Sequence, residues 1–150
     1  MSSFLTMEVL PEVDDCLKLR VSGSSFGFSG QADCYVNESE FLAFTKSLQG
    51  FPKKMDQLLT FDSGKNNSLS NFELSFSCVN SSGHVKLEVE ITHIESYVNS
   101  KTNRFSSSFI LVIMPSEIDT FQSNLISVVN SNNVGQLAEL RTETSYSNGR

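Results

Sequence analysis

Between Phe72 and Ile91 the chain alternates in a way that leaves one structural solution. Phe72, Leu74, Phe76 and Cys78 are separated by Glu73, Ser75 and Ser77. After Asn80-Ser81-Ser82-Gly83, the residues Val85, Leu87, Val89 and Ile91 are separated by Lys86, Glu88 and Glu90. Period-two alternation marks strands with one buried face, and the Asn-Ser-Ser-Gly cluster supplies the turn between them. Antiparallel partners sum to a constant, and both apolar sets must share a face. One set is even-numbered and the other odd, so that constant is odd. A loop from Asn80 to Gly83 then sets Val79 opposite His84, Cys78 opposite Val85, Phe76 opposite Leu87 and Leu74 opposite Val89. Gly83 is expected in the left-handed backbone region. On the outer face Ser77 meets Lys86, Ser75 meets Glu88 and Glu73 meets Glu90. Like charges directly opposed cost on the order of a few tenths of a kcal/mol.

Either side of this hairpin the reading is coarser. Phe4 to Leu10 reads as a strand stopped by Pro11, and Leu17, Leu19 and Val21 mark a second. After Ser22 to Ser25 a third strand is expected, with Phe26, Phe28, Gly30, Ala32, Cys34 and Val36 on one face. Gly27 and Gly30 within it mark a bulge or a close packing neighbour. Asn37 with Glu40 forms a helix-capping pair, and Phe41, Phe44 and Leu48 follow as a helical stripe ended by Gly50 and Pro52. Gln57 to Phe61 reads as a short strand, and Asp62 to Ser70 as a polar, mobile loop. Thr92 to Arg104 is polar and turn-prone. Phe105 to Met114 is a strand that becomes apolar on both faces from Phe109, which predicts a central position in the sheet. Ser116 with Asp119 suggests a second cap before Ile118, Phe121, Leu125, Val128 and Val129, which recur at helical spacing. Leu137 and Leu140 suit a short helix or strand.

The order strands, helix, strands, helix predicts an α+β fold: a single layer of mainly antiparallel sheet, about six or seven strands, packed against two helices. One domain is expected over residues 1–141, large enough to bury a core without staples. Residues 142–150 lack apolar content and are expected to form a disordered tail. Twelve phenylalanines and no tryptophan predict a core built on Phe with Leu, Ile and Val.

Chemistry is sparse. Cys16, Cys34 and Cys78 show no paired spacing, which argues against a disulfide scaffold and a zinc site and predicts reduced, buried thiols. His84 and His93 stand nine residues apart on one strand, roughly 30 Å when extended, too far to share a metal. The run from Gly23 to Gly30 is glycine-rich but lacks the lysine and the following helix of a phosphate loop. Asp14-Asp15 and Asp33 show no paired spacing. No catalytic residue, cofactor or metal site is therefore expected. Seventeen acidic against eleven basic residues give a net charge of −6, which disfavours nucleic acid. No secretory signal is visible and no apolar run approaches the roughly 20 residues of a membrane span. A soluble, cytoplasmic protein is expected.

The ordering also carries a resemblance. A strand ending in Asp33-Cys34-Tyr35-Val36 leads to a helix with Phe41-Leu42-Ala43-Phe44 and Leu48. Phe72-Glu73-Leu74-Ser75-Phe76 and Gly83-His84-Val85-Lys86-Leu87-Glu88-Val89 follow, then a strand and a helix bearing Leu125. Over roughly Leu17 to Val129 this resembles small bacterial proteins similar to WapI-type immunity proteins of contact-dependent toxin systems; the absence of tryptophan departs from that pattern. The resemblance implies a compact cytoplasmic protein that neutralises a toxin domain by binding it, with no catalytic residue to carry over. Negative charge suits such a role, because many delivered toxins are nucleases with basic clefts. The expected partner is therefore a protein, and the candidate partner-binding surface is the outer face bearing Glu73, Glu88 and Glu90. A metal or cation site there is a poorer reading than a solvated sheet face. Two alternatives remain: a small-ligand binder or enzyme with a pocket between sheet and helices, near His84, His93, Asp33 or Tyr35, and an oligomeric structural subunit with an exposed apolar patch.

Overall fold

Among the described residues, two four-stranded antiparallel sheets face each other, and two helices pack on each other and on strands of both sheets. The structure is a computed structural model, described over residues 2–12, 16–64, 69–96, 102–130 and 135–143. Its elements run β1 (Ser2–Val9), β2 (Leu17–Ser25), β3 (Phe28–Val36), α1 (Glu38–Ser47), β4 (Leu58–Asp62), β5 (Asn71–Cys78), β6 (Val85–Ser96), β7 (Thr102–Ile113), α2 (Pro115–Asn130) and β8 (Leu137–Glu143). The first sheet has the order β3-β2-β1-β8 and the second β4-β5-β6-β7. The class is α+β, as the sequence predicts, but with two sheets in place of one layer.

The reason lies in the alternation itself. Leu5, Met7 and Val9 on β1, Leu17, Leu19 and Val21 on β2, and Ala32, Cys34 and Val36 on β3 make one apolar face. Phe72, Leu74 and Phe76 on β5 with Val85, Leu87, Val89 and Ile91 on β6 make another. Each sheet needs a cover for its apolar side, and the two faces cover one another. β3 packs across β5, β6 and β7, while α2 lies on β8 and β1, and α1 on α2 and β4. Ala138 and Leu140 place β8 beside β1, so Leu140 pairs with Leu5. β8 continues through Thr142 and Glu143, two residues past the expected domain end, and the remainder of the expected tail lies outside the described residues.

The β5–β6 register is the one parity dictates: Cys78 with Val85, Phe76 with Leu87, Leu74 with Val89, and outside Ser77 with Lys86, Ser75 with Glu88, Glu73 with Glu90. The Val79 N–H donates to the His84 carbonyl at 2.7 Å, and Gly83 takes φ 87°. α1 starts where expected, with the Asn37 side-chain oxygen accepting from the Glu40 N–H at 2.9 Å. Its stripe is buried as read: Phe41, Phe44 and Leu48. α2 likewise buries Ile118, Phe121, Leu125, Val128 and Val129. Its cap differs from the expected Ser116–Asp119 pair. Pro115 opens the helix, where its missing N–H costs nothing, and Glu117 Oε1 reaches back to accept from the Met114 N–H at 2.7 Å. Asp119 instead accepts from the Gly50 N–H at 3.2 Å, tying α2 to the end of α1.

Three further expectations are corrected. β2 does not stop at Ser22 but runs to Ser25, and the turn is Phe26-Gly27, so Phe26 and Phe28 are exposed and not core. β7 is the edge of its sheet and not central: Phe105 and, on the outer face, Ile110 and Val112 meet solvent. The cysteines are free, but only Cys34 is buried; Cys78 is half-buried and Cys16 exposed. Burial pushes the Cys34 thiol up to about 12 despite a hydrogen bond with Ser63 that opposes the shift. Residues 65–68 of the loop expected over Asp62 to Ser70 lie outside the described residues, as do 97–101 of the stretch expected to be turn-prone from Thr92 to Arg104. The rest of that stretch is strand, Thr92 to Ser96 ending β6 and Thr102 to Arg104 opening β7.

Candidate functional site: an acidic sheet face beneath an aromatic hairpin tip

Register places the outer face of the second sheet as a grid. Asp62, Glu73, Glu90 and Ser108 form one cross-strand row; Thr60, Ser75, Glu88 and Ile110 form the next; Leu58, Ser77, Lys86 and Val112 form a third. Glu73, Glu88 and Glu90 are thus neighbours, and Asp62 extends their row by one strand. Side chains directly opposite on such a face stand about 4.5–5.5 Å apart at Cβ, so four carboxylates occupy a patch two rows deep. Lys86 Nζ lies 3.8 Å from Glu88 Oε2, a loose pair in which both groups are well exposed.

The second component comes from the other sheet. Gly23 and Gly30 are cross-strand partners on the inner face of the β2–β3 hairpin. Gly23 lies against the Phe109 ring, and a Cβ on Gly30 would sit 2.8 Å from the Ser107 Cβ, so the hairpin approaches the β7 side chains with none of its own at these two positions. The Ser107 hydroxyl donates to the Ser29 carbonyl at 2.7 Å and clamps this approach. Beyond it, the tip reaches the outer face. Ser25, Phe26 and Phe28 line one open depression of about 830 Å³ together with Glu73, Ser75, Glu88, Glu90, Ser108 and Ile110.

The tip is strained. Phe26 and Gly27 both have positive φ, 53° and 84°, as the favoured two-residue hairpin turn requires at its centre. Asn-Gly or Asp-Gly meets that requirement easily; a bulky aromatic in the left-handed region costs on the order of 1–3 kcal/mol.

The other singled-out groups lie elsewhere. Asp33 accepts two hydrogen bonds from Arg20, Nε to Oδ1 at 2.8 Å and Nη2 to Oδ2 at 3.1 Å, on the outer face of the first sheet. That contact holds the Asp33 carboxyl below the usual range, with partial burial opposing and Lys18 and His93 adding to the shift. A carboxyl whose folded pKa is lowered stabilises the fold above its unfolded value of about 3.9 and loses that contribution as pH falls through the folded value. Asp33→Asn is therefore expected to lower the urea midpoint at pH 7, with a smaller gap to the wild type at pH 3. An equal gap at both pH values would show that the carboxylate charge contributes nothing.

Tyr35 is exposed beneath Lys18, whose Nζ stands 5.1 Å from the ring centroid. His84 contacts Asn80 within its own turn at 3.2 Å. His93 contacts Glu95 at 3.1 Å, stacks near Phe105 and lines a smaller depression of about 260 Å³ between β3 and β7. None of these four side chains is fully buried, and none lines the larger depression. Among the described residues no group of three His, Cys, Asp or Glu side chains is arranged to hold a metal ion, and no helix is long and apolar enough to cross a membrane.

Sequence reasoning singles out Glu73, Glu88 and Glu90; the structure sets Phe26, Phe28 and Ile110 around the same depression and pairs Asp62 with Glu73, four residues the sequence reading does not name for this face. The signal for the first two was Phe26-Gly27 itself: a two-residue turn there pairs Ser25 with Phe28 and lengthens both strands. Asp62 needed only the β4–β5 pairing. No family model, no curated protein and no solved structure matches this chain.

Proposed function

We propose that the chain is a non-catalytic protein-binding module, acting as an immunity-type protein in the cytoplasm that neutralises a basic toxin domain by covering it. The observation that supports this most is the gathering of Glu73, Glu88 and Glu90 in one broad, open depression with exposed apolar side chains at its rim. Protein-binding patches combine apolar anchors with oriented charge, and carboxylates on a chain of net charge −6 steer a basic partner toward them. The resemblance to WapI-type immunity proteins gives the reading its biological form.

A reading frame encoding a large toxin beside this gene is the expected context. With its toxin domain as partner, calorimetry is expected to show tight binding that weakens steeply with salt. Reversing the three charges (Glu73→Lys, Glu88→Lys and Glu90→Lys together) is expected to weaken it at least 100-fold, while Glu38→Lys with Glu40→Lys on α1 changes it by less than fivefold. Unchanged affinity in the triple variant removes this face as the interface. Absence of binding by the wild-type chain removes the immunity role.

A further inference from the structure

The β2–β3 turn is built as folding alone would not build it. The left-handed position before Gly27 is filled by Phe26, which is 55% exposed, and Phe28 on the other side of the turn is 76% exposed. Neither strain nor exposure is offset by burial in the core. Both residues line the depression that Glu73, Glu88 and Glu90 also line.

We propose that this depression is a receptor for an arginine or lysine side chain carried by the protein partner, with Phe26 and Phe28 as its aromatic wall and the three glutamates as its anionic floor. The inference rests on the reading that the outer face binds protein, and it specifies what that face grips. A guanidinium or ammonium against a phenyl face is drawn to the ring quadrupole, and its outward N–H groups meet carboxylates in charge-assisted hydrogen bonds. The aliphatic stem of the same side chain lies along Ile110 and the rings, as long cationic side chains do on apolar surface. A purely apolar occupant would take the carboxylates out of water and bring no charge or hydrogen-bond donor to meet them. A second copy of this chain would set one acidic floor against another.

A fluorescein-labelled octa-arginine peptide, titrated against the full chain by fluorescence polarisation at low salt, serves as the probe. Saturable binding is expected, at least tenfold weaker for Phe26→Asn with Phe28→Ser, and equally weakened for Glu73→Gln, Glu88→Gln and Glu90→Gln together. Glu38→Gln with Glu40→Gln is expected to stay within twofold of wild type. The phenylalanine variant should melt no lower than wild type, since Asn suits the turn better. Unchanged affinity in that variant overturns the proposal, and so does a sharply lowered melting temperature, which would make the rings structural. Equal loss in the α1 control overturns it as well, by showing that only net charge matters. A dimer in light scattering that Phe28→Ser dissolves would assign the rings to self-association instead. Peptide binding that depends on Phe26 while the toxin domain fails to bind would leave the receptor standing and remove the immunity role.

Discussion

Phe76→Ala is expected to lower the stability of this protein by about 3–5 kcal/mol, the usual loss for truncating a fully buried phenylalanine. Phe76 is wholly inaccessible and sits where β5 meets α1 and the segment that follows it. Its ring centroid lies 6.0 Å from that of Phe44 and 6.1 Å from that of Phe51. Phe44 in turn lies 5.2 Å from Phe61 on β4, which lies 5.2 Å from Phe41 and 5.8 Å from Phe72. Six rings therefore link the helix to two strands of the second sheet. Such pairs add about 0.5–1.5 kcal/mol each beyond their buried area, and neighbouring rings cannot collapse into the gap without giving up their own contacts. For a domain of this size the loss corresponds to a fall of roughly 6–20 °C in Tm. Phe76→Leu, which keeps most of the volume, should cost far less. Calorimetric melting of both variants checks the pair; similar, small shifts in the two would mean that the cluster is loosely packed.

The same residues show what could be read from the chain and what could not. The β5–β6 hairpin was legible to the individual pair because both strands alternate without interruption and a four-residue turn leaves one register. The stripes of α1 and α2 were legible for a similar reason, since every third or fourth position is apolar. Legibility failed where the decisive partner is distant. Phe109 to Met114 looks the same whether β7 is flanked on both sides or on one, so the exposed positions Ile110 and Val112 read as a second buried face. Phe26 and Phe28 share the parity of Ala32 and Cys34, which made them core by pattern. The positive φ of Phe26 is invisible to any period. Both errors fall on the proposed binding face, where exposed apolar groups follow contacts with a partner and not the needs of the core. The positions of the three glutamates on one outer face were legible because the hairpin that carries them has a single register.

How the tip is held over that face yields the second large effect. Gly30→Ala is expected to cost about 1–3 kcal/mol, the range for forcing extra atoms into a filled contact. The added Cβ would stand 2.8 Å from both the Cβ and the Oγ of Ser107. The Cβ cannot rotate away, because it is fixed to the β7 backbone; turning the hydroxyl aside breaks its bond to the Ser29 carbonyl. Either the sheets part or the hairpin shifts along β7, and both move Phe26 and Phe28 relative to Glu88 and Glu90. Removing the obstacle should restore the fit: Gly30→Ala with Ser107→Gly is expected to be more stable than the sum of the two single losses, with a favourable coupling on the order of 1 kcal/mol. Gly27→Ala supplies the contrast. Nothing lies within 4 Å of a Cβ there, so its cost comes from the backbone at φ 84° alone and no change at Ser107 should relieve it. A double-mutant cycle by urea denaturation, run beside octa-arginine binding, separates the cases. Coupling for Gly30 but not Gly27, with binding restored by Ser107→Gly, shows that close approach of the two sheets sets the position of the aromatic tip. Additive losses at Gly30 would show that the hairpin adjusts freely and that its tip is placed by something other than this contact.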